Sequence, residues 1–227
     1  MESVKACADK VRSKLKSIDI VINNAGVMMT PQVSTSDGHE LQLATNHLGH
    51  FYLNSLIFDL INPQSGRVVV ISSLAHKIGE INFKDIMLKK EYTPLKAYSQ
   101  SKLANLMYAF ELNKRLSASG SNISCIACHP GYSDTNLQTS GPVGLSKFIM
   151  KYANKLLAQS PLRGAYPSVL CAAGVEAFAG AYYGPQSFGE YRGRISDASV
   201  AEHALDEVAW EKLWRKSEEL VGCKFLS

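Results

Sequence analysis

Residues 18–26 read IDIVINNAG. A short run, residues 18–22, aliphatic except for Asp19, passes directly into two amides, an alanine and a glycine. A run of this length bounded by turn residues reads as a strand, and a strand apolar on both faces belongs to a parallel sheet covered by helices. In such sheets ligands collect beyond the C-terminal strand ends. Asn23 and Asn24 stand at that position. Only one amphipathic stretch, residues 4–16, precedes the run. A strand that reads as central therefore comes very early in the chain.

Outward from this run the chain alternates strands and helices. Asp37 with Glu40 three residues later reads as a capping box, opening a long helix to about residue 61 that Asn62-Pro63 and Gly66 close. RVVVI (Arg67–Ile71) is a second buried strand, running into Ser72-Ser73. A polar insertion follows over about 79–96, with the basic stretch 84–90 read as a solvated surface. A helix is expected over about 95–116, and residues 123–128 form a third strand closed by His129-Pro130-Gly131. Segment 143–158 is amphipathic, and Ser160-Pro161 caps and opens the next helix, which Pro167 should kink or shorten. Residues 181–183 suit a short strand, and 208–221 a last helix. The fold class is α/β, a Rossmann-type parallel sheet in one domain spanning residues 1–227.

Composition narrows the function classes. Apolar residues make up 46% of the 227 positions, enough for a real core. The net charge of +4 is spread over both signs without a basic block, so no nucleic-acid partner is expected. No signal peptide and no apolar run of about twenty residues is read, so no spanning helix is expected. Five cysteines without framework spacing point to a reducing, cytoplasmic compartment. Cys125 and Cys128 form a CxxC, but three positions apart on a strand they face opposite ways and read as buried thiols. His47 and His50 share a helix face, yet neither a third ligand nor an HExxH motif accompanies them, so no metal is expected.

The chemistry centres on AYSQSK, residues 97–102. Tyr98 and Lys102 are four apart on a helix and share a face. A phenol has a pKa near 10 and is a poor base at neutral pH. A nearby ammonium favours the phenolate, and each pKa unit of lowering is worth about 1.4 kcal/mol. The pair can thus bring a tyrosine toward the range of an acid–base catalyst. Taken alone, the spacing is a weak signal, and it more often describes a surface tyrosine lying on a lysine stem.

Further motifs lie in order along the chain: NNAG at 23–26, Asn46 in TNHLGHF, ISS at 71–73, YSQSK at 98–102 and HPG at 129–131. With these the sequence resembles the short-chain dehydrogenase/reductase family over essentially all its residues. The long spacing from Ser73 to Tyr98 and the phrase YSQSKLANLMYAFEL are most similar to its retinol-dehydrogenase-like branch. The resemblance implies an oxidoreductase interconverting an alcohol and a carbonyl with a nicotinamide cofactor, NADP or NAD. It implies that Tyr98 is the general acid or base, that Lys102 tunes it and holds the nicotinamide ribose, and that Ser73 binds the substrate oxygen. Ser72 is then structural. Asn46 would hold a water that links Lys102 to solvent. Asn23, Ala25 and Gly26 would line the cofactor, with Pro130 and Gly131 shaping the loop beside the nicotinamide and Thr135 meeting its carboxamide. Residues 140–165 would form a lid, whose apolar side chains suggest a lipophilic small-molecule substrate.

In the family the NNAG strand is the fourth of the sheet. The resemblance therefore implies that three strand–helix units, roughly 70–80 residues, stand before it. Those units carry the glycine-rich turn that receives the pyrophosphate at a helix N-terminus, and no such pattern occurs in these 227 residues. The expectation is a partial domain lacking the first three strands. A mis-called start, a truncated product or a dedicated non-enzyme would each account for it. The alternative function is a catalytically inactive fragment that acts as a binding or dimerisation partner. Without a neighbour, the strand at 18–22 becomes an apolar sheet edge, which favours a homo-oligomer that buries it.

Overall fold

Val68, Val69 and Val70 are all buried in the strand Arg67–Ile71, because both faces of that strand are covered. The computed structural model describes residues 1–132 and 160–226. Among them five strands form one sheet in chain order: β1 (Ile20–Asn23), β2 (Arg67–Ile71), β3 (Ser124–Cys128), β4 (Tyr182–Ser187) and β5 (Arg192–Asp197). β1 to β4 are parallel, with Asn23 beside Val70 and Ile71 beside Cys128. β5 returns antiparallel on β4. This is the expected Rossmann-type α/β architecture.

The helices fall on two faces. One face carries α1 (Glu2–Lys14), α2 (Leu41–Leu43), α3 (Gly49–Ile57), α4 (Pro94–Ala118) and, near the C-terminus, Glu207–Val221. Val68, Val70, Cys125 and Ala127 point into it, against Phe51, Leu106, Leu112 and Trp214. The opposite face carries α5 (Pro161–Ala173), over Val69, Ile71, Ile126 and Cys128. Cys125 and Cys128 therefore do lie on opposite faces, and all five cysteines are free. The C-terminal helix Glu207–Val221, α6, starts on an Asp206 cap and ends at Gly222 in the left-handed region, φ 68°.

Several boundaries differ from the sequence reading, each for a local reason. Glu40, not Asp37, caps the long helix, its carboxylate accepting from the Gln42 and Leu43 amides at 2.8 and 2.6 Å. That helix passes through a π turn at Ala44–Leu48. The basic stretch 84–90 is anchored rather than merely solvated: Ile86 and Leu88 are buried, and Asp85 accepts from the Lys89 and Lys90 amides. α5 runs through Pro167, which is buried with Cys171 against the sheet. β4 extends beyond residue 183, and β5, unforeseen, follows it. The amphipathic segment 143–158, Thr135 and most of the expected lid lie outside the described residues.

Among the described residues β1 is one edge of the sheet and β5 the other. Val21 faces the core, whereas Ile20 and Ile22 are 42% and 45% exposed on the face beside α5. Among the described residues no helix is long and apolar enough to cross a membrane.

Candidate active site

β1, β2 and β3 end at one rim, and α4 crosses it. Tyr98, Ser101, Lys102 and Asn105 recur at helical spacing on α4 and are all buried there. α4 begins cleanly because Thr93 Oγ accepts the Lys96 amide at 3.1 Å and Pro94 occupies the first turn.

Three hydrogen bonds lock α4 to the end of β2. The Ile71 carbonyl accepts from Lys102 Nζ at 3.2 Å and from Asn105 Nδ2 at 3.0 Å. Ser72 Oγ donates to the Lys102 carbonyl at 2.8 Å. Ser72 is thus spent on scaffolding. Ser73 is turned the other way: its Oγ caps the short 3-10 turn Leu74–Ile78 by accepting the Ala75 amide at 3.2 Å, and its hydroxyl is near enough to Tyr98 to act on the phenol. The two neighbouring serines separate because successive strand residues face opposite ways.

Burial dominates the electrostatics. It pushes the Tyr98 phenol up to about 12, with the Ser73 hydroxyl opposing, and it lowers Lys102 to about 8. Lys102 Nζ lies 5.8 Å from the Tyr98 ring centroid and is aimed at the Ile71 carbonyl. The expected lowering of Tyr98 by its lysine is therefore outweighed: desolvation penalises both charged forms, and the ammonium does not meet the phenol oxygen.

Asn46 lies on the π turn, fully buried, with its side chain committed. Oδ1 accepts the Val27 amide at 2.8 Å, and Nδ2 donates to the Val27 carbonyl at 2.9 Å and to Ser101 Oγ at 2.8 Å. The residue fixes the chain just after NNAG onto α4. Its own carbonyl accepts His50 Nδ1–H at 2.8 Å. In the sequence His50 stands out only as a metal-ligand candidate, and Ser101 and Asn105 carry no assigned role. Position was the available signal: Ser101 and Asn105 share Lys102's helix face, and His50 follows Asn46 by one turn. His47 is a core residue, its Nε2–H donating to Ser217 Oγ at 2.8 Å, since that hydroxyl spends its own hydrogen on Leu213. Among the described residues no group of three or more ligating side chains is placed to hold a metal.

The loop after β3 is held by its histidine. His129 Nδ1 accepts the Gly131 amide at 3.2 Å, and Gly131 takes φ 68°. The His129 ring lies so close to β4 that a Cβ on Gly184 would fall 2.0 Å from Nε2.

A family model, short chain dehydrogenase, matches residues 1–142. The chain belongs to the short-chain dehydrogenase family. It is 35% identical over 226 residues to retinol dehydrogenase 14 of Mus musculus and 35% identical over 227 residues to retinol dehydrogenase 13 of Homo sapiens. These alignments take in 98% of the chain in each case and 64% and 66% of the relatives. A solved structure of an uncharacterized protein from Mycobacterium paratuberculosis superposes with a TM-score of 0.79 at 36% identity, covering 99% of this chain and 73% of that one.

A short-chain dehydrogenase implies a nicotinamide cofactor, and the rim residues fit the nicotinamide–ribose end. Asn23 is buried with both amide atoms unpartnered among the described residues, so its side chain can still both donate and accept. A Cβ on Gly26 would stand 3.1 Å from Asn46 Oδ1 and 3.8 Å from Lys102 Nζ, so only glycine keeps that approach open. Among the described residues Lys102 has one hydrogen-bond acceptor for its three N–H donors. Ala25 precedes Gly26 in sequence, and Pro130 lies in the loop that follows β3.

Proposed function

We propose that this site interconverts a carbonyl and an alcohol on a lipophilic small molecule, with NADP or NAD as cofactor. The observation that carries the reading is the arrangement of Tyr98, Ser73 and Lys102. A buried phenol stands beside a serine whose hydroxyl opposes the rise of its pKa, with a lysine one helical turn away that has one acceptor among the described residues. The cofactor supplies or accepts the hydride. Tyr98 supplies the proton to the carbonyl oxygen. A phenol held at about 12 keeps its proton throughout the neutral range, which equips it as a donor in reduction. Ser73 orients that oxygen, and its influence on Tyr98 already favours the phenolate left after transfer. Lys102 offers its remaining N–H groups to ribose hydroxyls and, when charged, lowers the cost of the phenolate. The Asn46 side chain is committed to Val27 and Ser101 and its carbonyl already accepts from His50, so a bridging water would share that carbonyl with the His50 ring.

The likeness to retinol dehydrogenases supports the lipophilic substrate class, and membership of the family supports the cofactor class. The test is Tyr98→Phe, which keeps the ring and deletes the proton donor. Reduction of a lipophilic aldehyde, followed by loss of reduced cofactor, should fall about 10²–10⁴-fold with the fold intact by circular dichroism. Wild-type turnover in the Phe variant would overturn the assignment.

A further inference from the structure

Behind Ser73 lies a histidine that the reaction does not use. His76 is completely buried on the 3-10 turn that Ser73 caps, and both its ring nitrogens are engaged. Nδ1 is 2.7 Å from the Ser73 carbonyl, and Nε2 is 3.3 Å from the Ala201 amide nitrogen. These two contacts determine the tautomer. A carbonyl can only accept and an amide N–H can only donate, so Nδ1 carries the hydrogen and Nε2 the lone pair. The opposite tautomer would set lone pair against lone pair and hydrogen against hydrogen. The Ser73 carbonyl is held further by the His76 amide at 3.0 Å and by the Tyr182 hydroxyl at 3.5 Å, and that hydroxyl also lies 3.4 Å from Nδ1, where its oxygen can share the hydrogen that Nδ1 gives the carbonyl at 2.7 Å. The Tyr182 ring meets the imidazole edge-on at 5.4 Å. From the far side, His203 Nε2 reaches the His76 carbonyl at 3.1 Å.

We propose that His76 is a positioning residue for Ser73: one ring nitrogen pins the serine carbonyl, and the other ties the serine turn to the C-terminal segment at Ala201. The inference rests on the reading of Ser73 as the group that orients the substrate oxygen. A serine whose backbone carbonyl is clamped from several sides presents its hydroxyl to Tyr98 in one direction, and misplacement of such a group by about 1 Å can cost on the order of 10²-fold in rate. The tie also couples the site to a segment more than 120 residues away in sequence, since His76 and Ala201 are separated by 125 positions. Burial keeps the ring neutral. Lys77 on the same turn and His203 opposite disfavour a charge there, while the Ser73 carbonyl and Glu190, from the β4–β5 turn, favour it.

The test uses three variants of the full chain. His76→Leu removes both contacts at similar size, His76→Asn keeps a donor where Nδ1 stood, and Ala201→Pro removes only the N–H, at a residue whose φ of −69° a proline accepts. Nitrogen-15 NMR of the wild-type ring should show hydrogen on Nδ1 and none on Nε2. Hydrogen exchange of the Ala75 amide, which Ser73 Oγ holds, reports the serine, and that of the Ala201 amide reports the tie. Both should exchange at least tenfold faster in His76→Leu, with Ala75 largely restored in His76→Asn. In Ala201→Pro, His76 should take up a proton at higher pH than in the wild type. Where the wild type turns over, kcat should fall roughly ten- to a hundredfold in His76→Leu with KM little changed, and His76→Asn should recover most of it. An Nε2–H tautomer, or Ala75 protection unchanged in a folded His76→Leu protein, overturns the proposal. If His76→Leu does not fold, the wild-type tautomer and the Ala201→Pro titration decide. Absence of any wild-type turnover would count against the proposed function while leaving the tautomer and exchange results to judge His76.

Discussion

Lowering the pH from neutral to about 5 should destabilise this protein steeply, well before its carboxylates titrate. The cause is a set of histidines buried in neutral form. Burial lowers His47 to about 3, His50 to about 4 and His129 to about 4. Unfolded, each would return to its ordinary value near 6.5. A folded-state pKa below the unfolded one means that the stabilising contribution is present above about pH 6.5. It is lost as the pH falls from there through the folded value, because only the unfolded chain takes up the proton. At about pH 5, some 1.5 pH units below the unfolded value, each histidine has cost about 2 kcal/mol, roughly 6 kcal/mol for the set. A typical domain has only about 5–15 kcal/mol in total. His76, also lowered by burial, acts in the same direction. Glu40 opposes them, its carboxyl raised by burial, but the amides of Gln42 and Leu43 hold that rise back. Urea unfolding followed by circular dichroism at a series of pH values measures the slope, which should approach about 4 kcal/mol per pH unit for three protons. His129→Asn keeps an acceptor for the Gly131 amide and removes one proton-binding group, so the slope should fall by about 1.4 kcal/mol per pH unit. Stability that stays level between about pH 7 and 5, or a variant slope equal to the wild type's, would refute the reasoning.

Ser72→Ala and Ser73→Ala should divide stability from turnover. The first loses the bond to the Lys102 carbonyl and about 1 kcal/mol of stability, and the second loses most activity, with equal turnover losses at equal folded fraction counting against the assignment. Gly184→Ala places a methyl group inside contact distance of the buried His129 ring, so a fall in melting temperature and a displaced loop after β3 are expected, and unchanged melting would show that the ring moves freely. Lysine at Ile20 and Ile22, both exposed on the edge strand, should reduce self-association in sedimentation runs at little cost in stability, whereas undiminished association would place the contact elsewhere.

Much of the fold was legible in the order of residues. The apolar runs ending in Asn23, Ile71 and Cys128 declared a parallel sheet because a strand covered on both faces has no polar alternation. Ser160-Pro161 marked a helix start by its own capping chemistry. Tyr98 and Lys102 could be placed on one face of α4 because a helix repeats locally. β5 was not legible: Arg192, Gly193 and Arg194 carry no strand pattern, and their pairing comes from β4 beside them. Nor was the choice of which serine serves α4 and which serves Tyr98 visible apart from the family resemblance, since it depends on where α4 crosses β2. The same holds for the protonation of Tyr98. Spacing from Lys102 argued for a lowered phenol, whereas desolvation by the surrounding chain raises it to about 12. His76 and Ala201, 125 positions apart, meet only through packing. Local sequence determines what a segment's backbone does, because propensity and capping act over a few residues. Burial, tautomer and hydrogen-bond partner depend on segments distant in the chain, so only the tertiary structure decides them.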